Sequence, residues 1–379
     1  MEKNEIVLSL DTPDRETIFN QWKSLLVSLN SPFALYASPD WFETLQATDP
    51  DNYALSLSRT KDDGVKSILP LQFKSRDLIF SVARKEIFSY KTTCAIVLGG
   101  EPLGTMQVEE YDTLFQELFN SKKNIDAIFF KCLQDTNPFF NKLNHLGKQS
   151  GAFIHFIERK PETFTYVKLD NSFDEYLAKF NSKARYNLKR QWRVALKTSG
   201  NKLKIERITN ISQMKFFEQT GKFILDNSWK SGMSENYSTF SQENCNIYKA
   251  VAEKGLLRSY VLMADDDPWA FVLGFQDQGI YHYSNIAYSK EYSKLSPGIV
   301  LFYKMMEDLF LFDTPDIVNF GIGDSPYKRR FGTNSLISSD HLLFRNNFKN
   351  KFMIKLFVLL DNLKFFLKEY CQVLFRNKL

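Results

Sequence analysis

From Leu256 to Phe320 the chain shows apolar runs broken by polar turns, and then apolar positions at three- and four-residue steps. Leu256-Leu257-Arg258-Ser259-Tyr260-Val261-Leu262-Met263-Ala264 is apolar and β-branched enough for a strand, and it stops at the acidic turn Asp265-Asp266-Asp267-Pro268. A second strand follows from Trp269 to Gln276. Asp277-Gln278-Gly279 turns the chain again, and Ile280-Tyr281-His282-Tyr283-Ser284-Asn285 gives a third strand, so the three predict an antiparallel meander. After a polar loop the period becomes helical: Val300, Leu301, Met305, Leu309 and Phe312 recur behind Pro297-Gly298, and Thr314-Pro315 stops them. Asp316-Ile317-Val318-Asn319-Phe320 reads as a buried strand running into the glycine-bearing loop Gly321-Ile322-Gly323-Asp324-Ser325-Pro326.

Upstream, Ser172 to Ser199 carries a helical pattern that opens on a Ser172 cap with Glu175 three residues on. Arg185, Lys189 and Arg193 recur every four residues on one face, and Leu188, Trp192 and Ala195 share another. That helix is either a solvated face over a packed one or a basic surface for an anionic ligand. The first 160 residues repeat the order of parts: a helix around Trp41-Phe42, strands at Tyr53–Ser58 and Ser67–Phe73 about the turn Lys61-Asp62-Asp63-Gly64, and another strand at Ile125–Lys131. They show no glycine-bearing loop before a helix comparable to Ser296-Pro297-Gly298, which predicts a structural partner rather than a second ligand site. In the tail, Leu356, Leu360, Leu363, Leu367, Tyr370 and Leu374 keep helical spacing between Lys351 and Arg376.

Composition narrows the class. With 44% apolar and 25% charged residues the 379-residue chain has the balance of a soluble globular protein, and its length suits two domains. The 35 phenylalanines predict aromatic-rich packing. Four scattered cysteines and four scattered histidines predict neither a disulfide framework nor a metal site. The opening Met1-Glu2-Lys3-Asn4-Glu5 lacks the basic-then-apolar pattern of a secretory signal, so a cytosolic location is expected. From His341 to Leu379 eight Lys/Arg stand against two Asp/Glu, whereas the rest of the chain is at net −1. A neutral body with a basic tail argues against nucleic acid as partner. The longest uninterrupted apolar run in the tail is Leu356-Phe357-Val358-Leu359-Leu360, too short to span a bilayer. The tail is left with two roles, lying on an anionic membrane face or docking on its own catalytic domain.

Ser296-Pro297-Gly298 is the strongest local signal for a ligand. Proline at the first helical position and glycine beside it leave backbone N–H groups free where the helix dipole favours an anion, and a pyrophosphate fits there. Trp229-Lys230, before Gly232, offers a ring and a charge as one wall of an acceptor site, or is an exposed lid. His282, mid-strand among tyrosines, reads as a satisfied or stacked histidine ahead of a base.

Trp229-Lys230-Ser231-Gly232, the meander, Tyr292-Ser293-Lys294-Leu295-Ser296-Pro297-Gly298 and the run Asn319 to Gly332 together resemble GNAT-type acetyltransferases of the CelD/BcsL kind, tandem-GNAT proteins related to the FemAB peptidyltransferases and tied to exopolysaccharide or cellulose synthesis. The resemblance implies an α+β chain of two GNAT folds, mixed and mostly antiparallel sheets flanked by helices. A divergent domain is expected at 1–160, a catalytic one at 161–345 and a basic amphipathic tail at 346–379. It implies transfer of an acyl group from acetyl-CoA or another acyl-CoA, with no metal, to an amine or hydroxyl of a saccharide. It carries Lys294, Ser296 and Gly298 to the donor and Trp229, Lys230, Asn285 and Lys328 to the acceptor. Tyr327 becomes the acid that returns a proton to the departing thiolate, or a packed aromatic; Asp324 orients the acceptor, serves as a base, or only forms a turn. The usual glycine-rich pyrophosphate loop is reduced here to Lys294–Gly298, which keeps an aminoacyl-tRNA or an acyl carrier protein behind CoA as donor. Two rivals follow, a Fem-like aminoacyl transferase, which the neutral body disfavours, and a GNAT fold that only binds.

Overall fold

The computed structural model describes residues 3–7, 14–29, 33–62, 64–82, 85–121, 124–158, 161–231 and 239–376. In chain order the elements are β1 (Lys3–Val7), α1 (Arg15–Leu29), α2 (Pro39–Thr48), β2 (Tyr53–Arg59), β3 (Val65–Val82), β4 (Lys85–Val97), α3 (Val108–Ser121), β5 (Ala127–Gln134), α4 (Pro138–Gln149), β6 (Phe153–Ile157) and β7 (Glu162–Lys168). There follow α5 (Phe173–Ala178), α6 (Ser182–Thr198), β8 (Leu203–Ile208), α7 (Met214–Asp226), α8 (Gln242–Glu253), β9 (Ser259–Ala264), β10 (Asp267–Asp277), β11 (Ile280–Tyr288), α9 (Pro297–Phe312), β12 (Ile317–Ile322), α10 (Pro326–Phe331), β13 (Asn334–Arg345) and α11 (Phe348–Arg376). The meander and the helix behind Pro297 stand where the sequence predicts them.

The chain forms two compact units that are discontinuous in sequence. The first is Met1–Leu29, Asp49–Pro161 and Ser338–Leu379; the second is Asn30–Thr48 and Glu162–Ile337. A boundary at 160/161 is therefore crossed twice more, because 30–48 packs with the second unit and 338–379 with the first.

In the first unit the strand order is β1-β2-β3-β4-β5-β13-β6. Only β4 and β5 are parallel, over Cys94–Val97 and Ala127–Phe130, and α3 makes the crossover that such a pair requires. One face of this sheet carries α3 and α4, whose Phe115, Leu118 and Leu143 pack on Ile128, Phe130 and Leu343. The other face carries α11 through Met353, Ile354, Phe357 and Leu360, against Phe80, Phe129, Leu342 and Phe344. Asn350 pins the start of α11, accepting from the Tyr90 hydroxyl at 2.9 Å and donating to the Arg345 carbonyl at 2.9 Å. One face of the tail docks on the first unit's sheet, not on the second unit as the docking alternative had it. Leu367, Tyr370 and Leu374 lie outside the described side chains. The loop before α3, unlike the sequence reading, does hold glycines: Gly99, Gly100 and Gly104 all take positive φ. A Cβ at Gly100 would overlap the Lys131 carbonyl, so that loop is folded tightly onto β5.

The second unit repeats the plan, with strand order β7-β12-β11-β10-β9-β8 and one parallel pair, β11 and β12, bridged by α9. Tyr281, Tyr283, Val318 and Phe320 face α9 and α6 in one aromatic core. Phe217, Phe240 and Phe271 fill the opposite face under α7, where Trp41 of α2 also meets Phe275 edge-on at 5.2 Å. The pattern Ser172–Ser199 is two helices rather than one. The Ser172 side chain caps α5 and that of Asn181 caps α6, accepting from Ala184 N at 2.8 Å, and Arg185 donates to the Phe180 carbonyl at 2.8 Å across the break.

Gly274 lies where β10 slips register against β11. A Cβ there would overlap the hydroxyl of the wholly buried Tyr281 and stand 2.6 Å from the Arg258 carbonyl. Gly274→Ala is expected to cost about 3 kcal/mol or more of stability in urea unfolding, since neither neighbour has room to move; a loss under about 0.5 kcal/mol would refute that packing.

Candidate functional site

The site starts from the parallel pair. β11 and β12 pair at Ile280/Ile317, Tyr281/Val318 and His282/Asn319, and there their pairing ends. Asn319 marks the parting. Its side-chain carbonyl accepts from Gly321 N at 2.7 Å, and its amide reaches Nδ1 of His282 at 3.2 Å. With Gly321 at φ +73 and a register shift against β7 between Asn319 and Gly321, β12 bends away from β11. Beyond this point the facing strand edges hold backbone N–H and C=O groups that no ladder between them uses.

A second irregularity sets the side chains. Leu273 pairs with Asn285 and Gly274 with Tyr283, so Ser284 is the extra residue of a bulge. Before it Tyr281 and Tyr283 face the α9 core, and after it Ile286 and Tyr288 do. Strict alternation would put Asn285 on the Tyr283 face; the bulge turns it to the other. There its Oδ1 accepts from Lys230 Nζ at 2.7 Å and its Nδ2 donates to Thr239 Oγ1 at 2.8 Å. Lys230 Nζ also lies 5.7 Å from the ring centroid of Trp229, which is half exposed. Three of the four acceptor residues expected from sequence thus form one cluster, with Thr239 added to it. Gly232 lies outside the described residues.

The fourth, Lys328, is buried. Its ammonium donates to the carbonyls of Gly321 at 3.2 Å and Ile322 at 2.5 Å, and burial lowers its pKa. It clasps the loop that leaves β12. Tyr327, beside it, packs its ring against Tyr283 at 5.9 Å and Phe320 at 6.0 Å, and burial pushes its hydroxyl up to about 12. A phenol so placed keeps its proton at neutral pH and can only donate it. Asp324 is exposed and ion-paired with Arg329.

Ser296, Pro297 and Gly298 open α9 as expected. Ser296 takes the left-handed conformation, φ +53, and its side chain makes no cap bond; a non-glycine residue held there is a strained position that its surroundings must impose. The first turn of α9 carries no carboxylate, and a Cβ on Gly298 would meet Ile286 at 3.4 Å and Tyr288 at 3.5 Å, ordinary contacts. Lys294 is exposed beside this turn, and α6 with its basic residues packs on α9 and on the Lys290–Leu295 turn. The corresponding helix of the first unit is the opposite case. Glu109 and Glu110 occupy its first turn, and the Glu110 carboxylate accepts from Gln107 N at 2.6 Å and pairs with Lys66. That terminus supplies its own anion. A depression of about 270 Å³ in the second unit, lined by Asp226, Asp267 and Glu291 among others, is acidic and would repel phosphates.

His282 is wholly buried, edge-on to Tyr36 at 4.8 Å. Because the Asn319 amide donates to its Nδ1, its proton sits on Nε2, which has no partner among the described residues. Neither the Asn319–His282 pair nor the bulge was foreseen from sequence; Gly274 inside an apolar strand was the available signal for the bulge.

Residues 182–329 match the acetyltransferase (GNAT) domain family. The structure of FemX aligns with 87% of this chain and 96% of its own at a TM-score of 0.56 and 14% identity. A tandem GNAT protein from the clavulanic acid biosynthesis pathway aligns with 91% of this chain and 99% of its own, TM-score 0.55, 10% identity. A conserved protein of unknown function from Bacteroides thetaiotaomicron VPI-5482 covers 86% and 97%, TM-score 0.51, 9% identity. No curated protein matches the chain. At these identities the likeness is one of fold, the tandem GNAT arrangement, and the stretch that matches the acetyltransferase (GNAT) domain lies in the second unit. That stretch contains the parted strands, the carboxylate-free turn at Gly298 and Tyr327.

Burial pushes the His282 pKa down to about 3. The unfolded chain binds a proton near the ordinary value of about 6.5 that the folded chain refuses, so stability falls as pH falls through that window. Wild type should lose about 2 kcal/mol more than His282→Gln between about pH 7 and about pH 5 in urea titrations, the other histidines cancelling in the comparison. Equal losses would show that the imidazole is not desolvated.

Proposed function

We propose that this protein transfers an acyl group, acetyl first among candidates, from an acyl-CoA to an amine or hydroxyl of a sugar or sugar-linked acceptor, in exopolysaccharide or envelope assembly. The observation that carries the reading is the parting of β11 from β12 with a carboxylate-free helix terminus at α9. A thioester supplies the activated acyl carbon. Gly298 N–H, the start of the α9 dipole and Lys294 suit the donor's phosphates, with the Ser296 turn setting their angle. The open strand edges suit an extended amide-bearing arm and a polarised carbonyl.

Attack by the acceptor nitrogen or oxygen forms its bond to the acyl carbon, and the C–S bond breaks. Tyr327, protonated at neutral pH, gives its proton to the leaving sulfur, while the acceptor's proton passes out toward solvent. Trp229 offers a ring face for a sugar, and Lys230, Asn285 and Thr239 offer polar contacts around it. Asp324 orients the acceptor from the exposed end of the loop that Lys328 clasps.

The test is thiol release from acetyl-CoA with a panel of amino sugars and sugar alcohols. Tyr327→Phe should lower kcat by about 10²–10⁴-fold with little change in KM. Gly298→Asp should fold, since a carboxylate suits a helix start, yet raise the donor's KM by about tenfold or more through repulsion of its phosphates. A Gly298→Asp enzyme with unchanged KM would move the donor elsewhere.

A further inference from the structure

The outward face of α11 is unlike the face that docks. Over 348–364, Met353, Ile354, Phe357 and Leu360 turn toward the sheet of the first unit. On the opposite line Phe348, Phe352, Leu359 and Leu363 succeed one another at steps of four, seven and four, which is one side of an α-helix. They are 86%, 58%, 56% and 49% exposed. A helix that only covered its own sheet would carry polar residues there. Exposed lysines flank the line instead, Lys351 and Lys355 on one border and Lys349, 3.7 Å from Asp126, on the other, whereas Lys364 turns to the sheet and donates to the Ser81 carbonyl at 2.8 Å.

We propose that this face of α11 lies on an anionic lipid bilayer, its phenylalanines and leucines entering the headgroup boundary and its lysines meeting lipid phosphates. An apolar line bordered by cations is the arrangement that lets a helix lie at an anionic headgroup boundary. No described helix is long and apolar enough to cross a membrane, so α11 lies on the surface. A second copy is the poorer occupant, because two-fold pairing of this line sets the Lys351 and Lys355 rows beside one another. The proposal rests on the first unit alone and stands or falls apart from the acyl-transfer reading.

The experiment is flotation of the full chain with vesicles of phosphatidylcholine, or of phosphatidylcholine mixed with phosphatidylglycerol, without any acyl donor. Binding is expected only to the mixed vesicles and should weaken with salt. Phe352→Asp with Leu359→Asp should abolish it while leaving Tm unchanged, as both side chains point to solvent. Lys351→Glu with Lys355→Glu should weaken partitioning by about tenfold or more. No binding to anionic vesicles would overturn the proposal. So would equal binding by every variant, or sedimentation as a dimer that the Phe352→Asp, Leu359→Asp chain loses.

Discussion

The rung between His282 and Asn319 decides what the second unit can do. Parallel strands joined by a helix would normally stay paired along their length, and a fully paired sheet has no backbone to offer a ligand. Asn319 ends the pairing by spending both ends of its amide locally, one on His282 and one on the N–H of Gly321. The cost is a buried imidazole whose Nε2 has no partner among the described residues, a polar orphan that a sheet built only for stability would not keep. Three features follow the His282 end of that rung along the chain: the bulge at Ser284 that turns Asn285, the turn at Ser296, and the short helix α10 that carries Tyr327.

The two units share one plan and differ in charge where it matters. Both have a meander, a parallel pair and a crossover helix, and both have glycines or a strained turn ahead of that helix. In the first unit the helix terminus is closed by Glu110, itself tied to Lys66, and a half-buried Glu101 stands in the loop before it with its pKa raised by desolvation. In the second, the terminus is left without a carboxylate. The two crossover helices therefore differ in the charge at their starts.

The sequence was most legible where one signal dominates. Pro297, Thr314 and five apolar positions bound α9 to the residue, and Asp265–Pro268 and Asp277–Gly279 fix the meander turns. It was misleading where two signals superpose: the apolar period runs through 172–199, yet Asn181 starts a new helix, since a cap made by a side chain outweighs continued periodicity there. Lys328 was placed at the acceptor by the resemblance, whereas its ammonium donates to two carbonyls of its own loop. Trp229, Lys230 and Asn285 were grouped through resemblance rather than period, the Lys230–Asn285 contact joining residues 55 positions apart. Their meeting needs the bulge, which shifts a face by one residue without leaving any mark in local hydrophobicity except Gly274.

The order of segments along the chain bears on how the protein is made. All of the second unit, from Asn30 to Ile337, is synthesised before β13 enters the first unit between β5 and β6. During translation the amino-terminal half therefore waits with two strand edges open, and the carboxyl-terminal half closes first. Exposed edges of that kind invite pairing with other nascent chains. The sheet begun earliest is thus the one completed late, and chaperone demand should centre on β5 and β6, far in sequence from the segment that relieves it.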